Sequence, residues 1–378
     1  MEDRLDEDDD HLLQRASIRD DEGQHVRSQD WISLPCPPLS EVHAAAAEAR
    51  QNRLTKPPGS LGVLERLVIQ LASCQQTDRP RVDAVRILLF AGDHGVTAQG
   101  VSAFPSAVTV EMLRNFASGG AAISVLAREL GAPLEVVDAG TLATEQIPGT
   151  IVDKPCCGTH DFSREPAMSL DDVRSALDAG RRSVRRIADQ SSADILILGE
   201  MGIGNTTSAA AIAAALLAKP AEELVDAGTG LDDDGIRRKA SVIGNALRLH
   251  GLDRAEVPVL DVLASVGGLE IVALTGAIIS AAQARVPVLI DGFIVSVAAL
   301  AAVRLNPSCQ GWLIYSHRSR EKGHQLVLDA LGAEPLLDLK LRLGEGSGAA
   351  LALPIVRLAC ALHAQMATFE EAGVSGKS

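Results

Sequence analysis

Short apolar runs recur along the chain from residue 84 onward, and most are followed by a small polar turn and an Ala-rich, helix-like stretch. Such runs predict buried strands, and strands that alternate with helices favour right-handed crossovers and a parallel sheet. We therefore predict an α/β fold: a doubly wound, mainly parallel sheet with helices on both faces. The predicted strands are 85–90, 134–137, 195–198, 287–290, 312–315 and 336–343, and residues 257–263 fit either a strand or part of a helix.

Helix-like patterns occupy both ends of the chain, at residues 39–50, 61–74 and 348–366. These segments lie outside the strand–helix alternation, so we expect them to pack together as a small helical domain. The predicted divisions are residues 1–33 as a disordered acidic tail, 34–80 as the N-terminal helical part of the small domain, 81–345 as an α/β nucleotide-binding catalytic domain, and 346–372 as a C-terminal helix packed with the small domain.

The charge of the chain is unevenly distributed. The formal net charge is −14, and ten of the 49 acidic residues fall within the first 22 positions. Dense like charge with little apolar content is typical of a disordered tail. Only 2% of the residues are aromatic and no basic stripe occurs, which argues against nucleic-acid binding.

The six cysteines show no CxxC spacing, and the adjacent pair Cys156 and Cys157 is poorly placed to share one metal ion. Free thiols in a reducing compartment are the better interpretation. The N-terminus lacks the apolar stretch of a signal peptide, and the apolar run 286–303 carries Asp291 and follows a strand-like start, so it predicts core and not a membrane span. We expect a soluble, cytoplasmic protein with no membrane partner.

Polar side chains follow most of the predicted strands. All strands of a parallel sheet point their carboxyl ends the same way, and ligands bind at that edge, in the crevice where the strand order reverses. The polar residues expected to gather there are Asp93, His94, Asp138, Glu200, Asn205, Asp291, Ser316, His317 and Glu345.

Glu345 is a lone carboxylate between Gly344 and Gly346, where a strand-like run passes into a helix-like run. The glycines let backbone and ligand approach closely. Leu and Ala on either side disfavour the charged form, which makes the group a better base near neutral pH. The alternative is a helix N-terminal acid that only complements the helix dipole.

The turn Gly202-Ile203-Gly204-Asn205-Thr206-Thr207 follows a strand and opens a helix. Backbone amides, a helix N-terminus and threonine hydroxyls together favour an anion. A dinucleotide fingerprint needs glycine or alanine where Thr207 stands, and the Walker lysine is absent, so one phosphate fits best. The alternative is an ordinary tight turn with a helix cap. The run 344–349 matches the dinucleotide pattern loosely, but no second strand follows it.

Two further groups of side chains are candidate sites. Asp93-His94 fits an acid–base pair or metal ligands, but no third ligand has a recognisable spacing. The triplet 232–234 is three aspartates in a polar turn, which is typical of solvated carboxylates. The nucleophile elbow of serine hydrolases is not found. We therefore predict neither a metal site nor a cofactor.

Six motifs, in this order, resemble the CobT family of nicotinate-nucleotide–dimethylbenzimidazole phosphoribosyltransferases, which act in cobalamin lower-ligand assembly. The resemblance covers about residues 35–370, and the acidic tail lies outside it. The matching pieces are KPPGSLG at 56–62, AGDHGV at 91–96 with GVS at 100–102, GEMGIGNTT at 199–207, DGF at 291–293, SHRS at 316–319 and LGEGSGAA at 343–350.

The resemblance implies transfer of the 5-phosphoribosyl group of nicotinate mononucleotide to 5,6-dimethylbenzimidazole, by a homodimer. It implies that Glu345 is the catalytic base, that Glu200 and Lys239 lie near the substrates, and that Ser102 lines the base pocket. The glutamine that such enzymes often carry soon after Ser102 is not found near residues 110–111. The substrate-binding residues predicted in all are Ser102, Glu200, Gly202, Gly204, Asn205, Thr206, Lys239, Asp291, Ser316 and Gly344.

Two other classes of function remain open on the residues alone. A nicotinamide-dependent oxidoreductase with a Rossmann fold also uses a doubly wound sheet, although no well-placed fingerprint supports it. A non-catalytic nucleotide-binding protein needs the phosphate turn but has no use for Glu345. Hydride transfer and single-turnover product formation distinguish these classes from a phosphoribosyltransferase.

Overall fold

A computed structural model describes residues 30–190, 192–228 and 230–375. Its centre is a six-stranded sheet with the order β3-β2-β1-β4-β5-β6. Every neighbouring pair of strands is parallel. The strands are β1 (Val85–Gly92), β2 (Leu134–Gly140), β3 (Ile151–Val152), β4 (Ile195–Met201), β5 (Val288–Ile290) and β6 (Leu313–Tyr315).

Fourteen α-helices accompany the sheet in the described part of the chain, together with short 3₁₀ helices at Gly95–Gln99 and Pro307–Trp312. The α-helices are α1 (Asp30–Ser33), α2 (Glu41–Gln51), α3 (Val63–Gln75), α4 (Ala107–Ser118), α5 (Ala122–Leu130), α6 (Leu170–Gln190), α7 (Asn205–Leu217), α8 (Ala221–Leu224), α9 (Asp233–Leu249), α10 (Val259–Val266), α11 (Leu269–Gln283), α12 (Phe293–Leu305), α13 (His324–Leu331) and α14 (Ser347–Gln365).

The strand order reverses between β1 and β4. In β1, Leu88 pairs with Glu135 of β2 on one side and with Leu198 of β4 on the other. The chain winds outward from this point in both directions, which confirms the predicted doubly wound sheet. The crevice expected to hold a ligand therefore lies beyond the carboxyl ends of β1 and β4.

Both faces of the sheet are covered by helices. Successive side chains of a strand point to opposite faces, and β1 follows this rule: Leu88 and Phe90 join the core with α6, α7, α11 and α12. Ile87 and Leu89 join a second core with α3, α4, α5 and α14. The prediction of helices on both faces is confirmed.

The terminal helices pack together, and they also share a core with the sheet. The Nε of Arg50 donates to the carbonyl of His363 at 2.7 Å, and Gln51 Nε2 lies 2.8 Å from His363 Nδ1. Leu71 of α3 and Leu353 of α14 belong to the same apolar cluster as the strands. The predicted small helical unit is thus a layer on one face of the sheet.

The chain enters the fold at α1. Residues 1–29, which make up most of the predicted acidic tail, lie outside the described residues. Residues 30–33 belong to the fold instead of a disordered tail, because Trp31 is buried and its Nε1 donates to Asp178 Oδ1 at 2.8 Å. The guanidinium of Arg181 lies 4.9 Å from the centre of the Trp31 ring.

Two details of the sheet differ from the sequence prediction. The short strand β3 was not predicted, and residues 336–343 do not form a strand. These residues follow the backbone after β6 through Arg318 N to Leu337 O at 2.7 Å and Arg320 N to Leu341 O at 2.8 Å, with a single bridge at Leu337. Alternating apolar residues predict an extended backbone, but a strand also requires a partner of matching length. The ambiguous segment 257–263 contributes to α10.

One helix in the described part of the chain, α14, has the length and apolar composition of a membrane span. However, 56% of its apolar window is buried inside the protein, as in a core helix. The run 286–303, which the sequence assigned to the core, forms β5 and most of α12, and nearly all of its side chains are buried.

Candidate active site

The carboxyl ends of the strands bring the predicted polar residues to one edge of the sheet, where they are almost completely buried. Asp138 is fully occupied there, because Lys154 Nζ donates to its Oδ2 at 2.8 Å and Thr141 N donates to its Oδ1 at 2.7 Å. The other buried residues at this edge are Asp93, His94, Glu200, Asn205, Asp291, Ser316, His317 and Glu345.

Glu345 has an unusual backbone conformation. Its φ is +65°, between Gly344 at +83° and Gly346 at +82°. The left-handed region is rarely occupied by residues other than glycine and is often found at functional sites. A Cβ at Gly344 would lie 2.2 Å from Glu200 Oε1, and a Cβ at Gly199 would lie 2.3 Å from the carbonyl oxygen of Glu345. The glycines therefore allow Glu345 to pack directly on the end of β4.

One oxygen of the Glu345 carboxyl group has no hydrogen-bond partner. The residue is 6% exposed, and its Oε2 is buried without a hydrogen bond. Burial raises the pKa of Glu345, a backbone hydrogen bond from Ile123 lowers it, and the charge of Asp291 raises it; the net direction is upward. A carboxylate with a raised pKa and a free lone pair is suited to accept a proton near neutral pH.

Glu200 lies next to Glu345 and has an even more strongly perturbed pKa. Burial raises this pKa well above its ordinary value, and the charges of Asp291 and Glu270 add to the effect. Asn205 Nδ2 donates to Glu200 Oε2, and Glu345 N donates to Glu200 Oε1 at 3.4 Å. The edge therefore concentrates carboxyl groups that a cation would stabilise in their ionised form.

The glycine turn after β4 ends at the first residue of α7. Gly204 caps this helix with a φ of +99°, and Lys239 Nζ donates to Thr206 Oγ1 at 2.7 Å. Burial lowers the pKa of Lys239 to about 8, and the charges of Glu321 and Asp226 oppose that effect. A helix N-terminus with a buried lysine beside it is suited to bind an anion.

The remaining predicted contacts lie at three positions. Asp291 Oδ1 accepts a hydrogen bond from Ala349 N at 2.9 Å, so it ties the end of β5 to the first turn of α14. The Oγ of Ser316 is buried without a hydrogen-bond partner. Ser102 lies in the loop after the first 3₁₀ helix, where its Oγ accepts from Phe104 N at 3.2 Å. Its predicted place in the base pocket stays a prediction.

One buried pair of side chains at this edge, His94 and Glu270, was not predicted from the sequence. His94 was a candidate for an acid–base pair with Asp93, but its Nε2 lies 2.7 Å from Glu270 Oε1, and both side chains are completely buried. Asp93 Oδ2 instead accepts from Leu142 N at 2.8 Å. The only sequence signal for Glu270 was its position after the glycine pair 267–268, since the pair with His94 spans 176 positions.

The acidic triplet forms a helix start. Asp232 Oδ1 accepts from Gly235 N at 2.8 Å and caps α9, and Asp234 pairs with Arg237 at the surface.

Within residues 30–190, 192–228 and 230–375, no group of three or more His, Cys, Asp or Glu side chains is arranged to hold a metal ion. Two cavities of about 540 and 480 Å³ in that part of the chain are lined by neither Glu345 nor Lys239.

Comparison with known proteins agrees with this geometry. A phosphoribosyltransferase family profile matches residues 36–374. A nicotinate-nucleotide–dimethylbenzimidazole phosphoribosyltransferase of Bradyrhizobium sp. (strain BTAi1) is 63% identical, over 92% of this chain and 99% of its own. The enzyme of that name from Pseudomonas putida KT2440 is 58% identical, over 93% and 99%. The crystal structure of CobT from Thermus thermophilus superposes with a TM-score of 0.84 at 42% identity, over 89% and 100%. The chain belongs to the nicotinate-nucleotide–dimethylbenzimidazole phosphoribosyltransferase family.

Proposed function

We propose that the protein transfers the 5-phosphoribosyl group of nicotinate mononucleotide to 5,6-dimethylbenzimidazole, which gives α-ribazole 5′-phosphate and nicotinate. The substrates are inferred from the name of a relative that is 63% identical over 99% of its own length. The observation that carries the mechanism is the buried, unpartnered carboxyl oxygen of Glu345 at the reversal point of the sheet.

Glu345 acts as the general base. One benzimidazole nitrogen attacks C1′ of the ribose, and Glu345 Oε2 takes the proton from the other ring nitrogen. The bond between C1′ and the nicotinate nitrogen breaks, and its electron pair goes to the pyridine ring. Nicotinate thus leaves from a cationic ring as a neutral pyridine, so no departing pyrophosphate needs a metal ion. Attack on the face opposite the leaving group converts the β linkage to α.

Glu200 and Asp291 stabilise positive charge on the substrate. The pyridinium of the mononucleotide and the oxocarbenium-like ribose of the transition state are both cationic. Preorganised carboxylates in a water-excluded site stabilise such charge strongly. The raised pKa of Glu200 implies that bringing a cation next to it also favours its ionised form.

The glycine turn and Lys239 hold the phosphate. The N-terminus of α7 supplies positive potential, the Thr206 hydroxyl supplies a donor, and Lys239 supplies a charge beside them. With a pKa of about 8, Lys239 is mostly protonated at pH 7, and a bound dianion raises that pKa further. Gly344, packed against Glu200, keeps the base and this turn in one compact site.

The proposal includes a cytoplasmic homodimer. Leu351, Leu358 and Leu362 are 38%, 58% and 37% exposed on α14, and positions seven and four residues apart lie on one face of a helix. A second copy of the chain is the occupant that covers this apolar face. Replacing Leu358 by glutamate should turn a dimer into a monomer in light scattering; an unchanged mass places the contact elsewhere.

A nicotinamide-dependent oxidoreductase shares the strand order found here. The turn after β1 argues against that function, because His94 and Thr97 stand where a dinucleotide fingerprint that begins at Gly92 needs its second and third glycines, and a 3₁₀ helix follows.

The test is a chromatographic assay of nicotinate release from the mononucleotide. Nicotinate and a benzimidazole nucleotide should appear in equal amounts, and only when dimethylbenzimidazole is present. Release without the base indicates a hydrolase, and the lack of any release would exclude the proposed transfer.

A further inference from the structure

His317 is buried beside Asp291 at the edge of the sheet. It follows β6, and its Nε2 lies 3.4 Å from Asp291 Oδ1, with the two side chains 4% and 1% exposed. The same Asp291 oxygen accepts from Ala349 N at 2.9 Å. One carboxylate therefore links the histidine to the first turn of the helix that follows Glu345.

The His317 ring packs directly on that helical turn. A Cβ at Gly348 would lie 2.0 Å from His317 Cδ2, so this position tolerates only glycine while the ring is there. On the opposite side, a Cβ at Gly292 would lie 3.3 Å from His317 Nε2. The ring is thus held between Gly292, which follows β5, and Gly348 of α14, which is three residues from Glu345.

The groups around His317 favour its charged form. Burial lowers the pKa of His317, but the hydrogen bond and the charge of Asp291 outweigh that effect, and the net direction is upward. The neighbouring His324 is neutral, because burial lowers its pKa to about 3 and its Nδ1 accepts from Ser319 N at 2.8 Å. The charged and titratable groups that face His317 are Asp291 directly after β5, Asp338 from the segment before Glu345, His324 from α13 and the adjacent Arg318.

The charge of Asp291 also acts on the proposed base. It raises the pKa of Glu345 and also that of Glu200. A cation on His317 offsets part of this effect, because it lies within contact distance of the same carboxylate. Without that cation, Asp291 would hold Glu345 in its protonated, inactive form up to a higher pH.

We propose that His317 is a positioning residue for the general base: it holds Asp291 against the first turn of α14 and offsets the charge that Asp291 exerts on Glu345. The proposal rests on the proposed function, since Glu345 must be the base. A purely structural role would change stability or the overall rate. An electrostatic role through Asp291 shifts the pH dependence of the rate.

The experiment compares pH–rate profiles of the full-length wild type, His317→Gln, Asp291→Asn and the double variant. His317→Gln should move the acidic limb of kcat to higher pH, with kcat on that limb about three- to tenfold lower, and leave the mononucleotide KM within about threefold. Asp291→Asn should move the limb to lower pH, because it removes the negative charge that raises the pKa of Glu345. The asparagine Oδ1 can still accept from Ala349 N, so the contact with α14 is kept. Adding His317→Gln to Asp291→Asn should shift it no further. His160→Gln, at a surface histidine 69% exposed, is the matched control.

A limb that stays in place in His317→Gln, or that shifts equally with and without Asp291, overturns the proposal. If His317→Gln does not fold, His317→Asn replaces it. If neither variant folds, Asp291→Asn decides alone, and an acidic limb of kcat that stays in place then overturns the proposal. A wild-type protein that releases no nicotinate contradicts the proposed function itself, which is a separate outcome.

Discussion

Replacing Glu345 by glutamine separates basicity from shape at the proposed centre of the reaction. Glutamine has the same size and keeps an oxygen that can accept from Ile123 N, but it cannot take the proton of the attacking benzimidazole. We expect kcat to fall by about 10²–10⁴, the range for loss of a general base. That loss corresponds to about 2.7–5.4 kcal/mol of transition-state stabilisation. The mononucleotide KM should change little, because the interaction belongs to the transition state.

The same substitution should stabilise the fold at neutral pH. The pKa of Glu345 is raised above its ordinary value of 4.5, so the folded state disfavours the ionised form. Stability tied to such a group is fully present below its unfolded pKa and is lost as pH rises through the folded pKa. Glutamine removes that loss. The variant should therefore unfold at the same or a higher temperature than the wild type at pH 7, and the difference should shrink near pH 4.

The assay measures nicotinate release against pH for both proteins, together with thermal unfolding at pH 4 and 7. The wild-type rate should fall on the acidic side as Glu345 takes up a proton, and the glutamine variant should lack this limb. A glutamine variant with near wild-type kcat across pH would refute the reasoning. The benzimidazole would then arrive already deprotonated, or Glu200 would be the base.

Four further changes test other parts of the site and fold. Gly204→Val places a Cβ 2.9 Å from Thr97 Cγ2 and should raise the mononucleotide KM strongly. The control is Gly131→Val, which also has a left-handed φ but faces open space, and it should only lower stability. Equal KM values for the two variants would contradict a phosphate role for the turn. Lys239→Met should raise the KM of the mononucleotide but not of its phosphate-free nucleoside. It should also abolish the loss of mononucleotide affinity at pH values above the Lys239 pKa of about 8, with exposed Lys219→Met as the control. An equal effect on both substrates would argue against a phosphate contact. A chain that starts at Asp30 should keep full turnover, while Trp31→Ala should cost about 3–5 kcal/mol in chemical denaturation without changing KM; lost turnover in a folded truncation would show that residues 1–29 take part.

The sequence predicted those parts of the fold that depend on local pattern. The strands β1, β2, β4, β5 and β6 appear as apolar runs followed by polar turns, and their buried positions require such runs. The strand β3 was not predicted, because two residues are too few to show a periodic pattern. The segment 336–343 has the alternation of a strand, but after β6 it finds only a single bridge, and no local pattern reveals the length of a partner.

The candidate site divides in the same way. Glu345 and the glycine turn are recognisable locally, because their glycines are required by backbone conformation and close packing. Glu270 was not placed at this edge, and His317 was placed there without a role, because the contacts of both residues depend on partners far away in the chain. His94 meets Glu270 across 176 positions, and only the folded chain brings the two side chains together. Sequence motifs thus predicted which edge of the sheet gathers the polar side chains, while the charge balance at that edge required the structure.

The anomeric configuration of the product tests the proposed transfer most directly. A single displacement at C1′, with Glu345 taking the proton of the incoming base, inverts the β linkage of nicotinate mononucleotide. NMR of the purified product should therefore show only the α-linked ribazole phosphate, formed in equal amount with nicotinate. A β-linked or mixed product would contradict direct displacement, and free ribose 5-phosphate would show that water and not the benzimidazole is the acceptor.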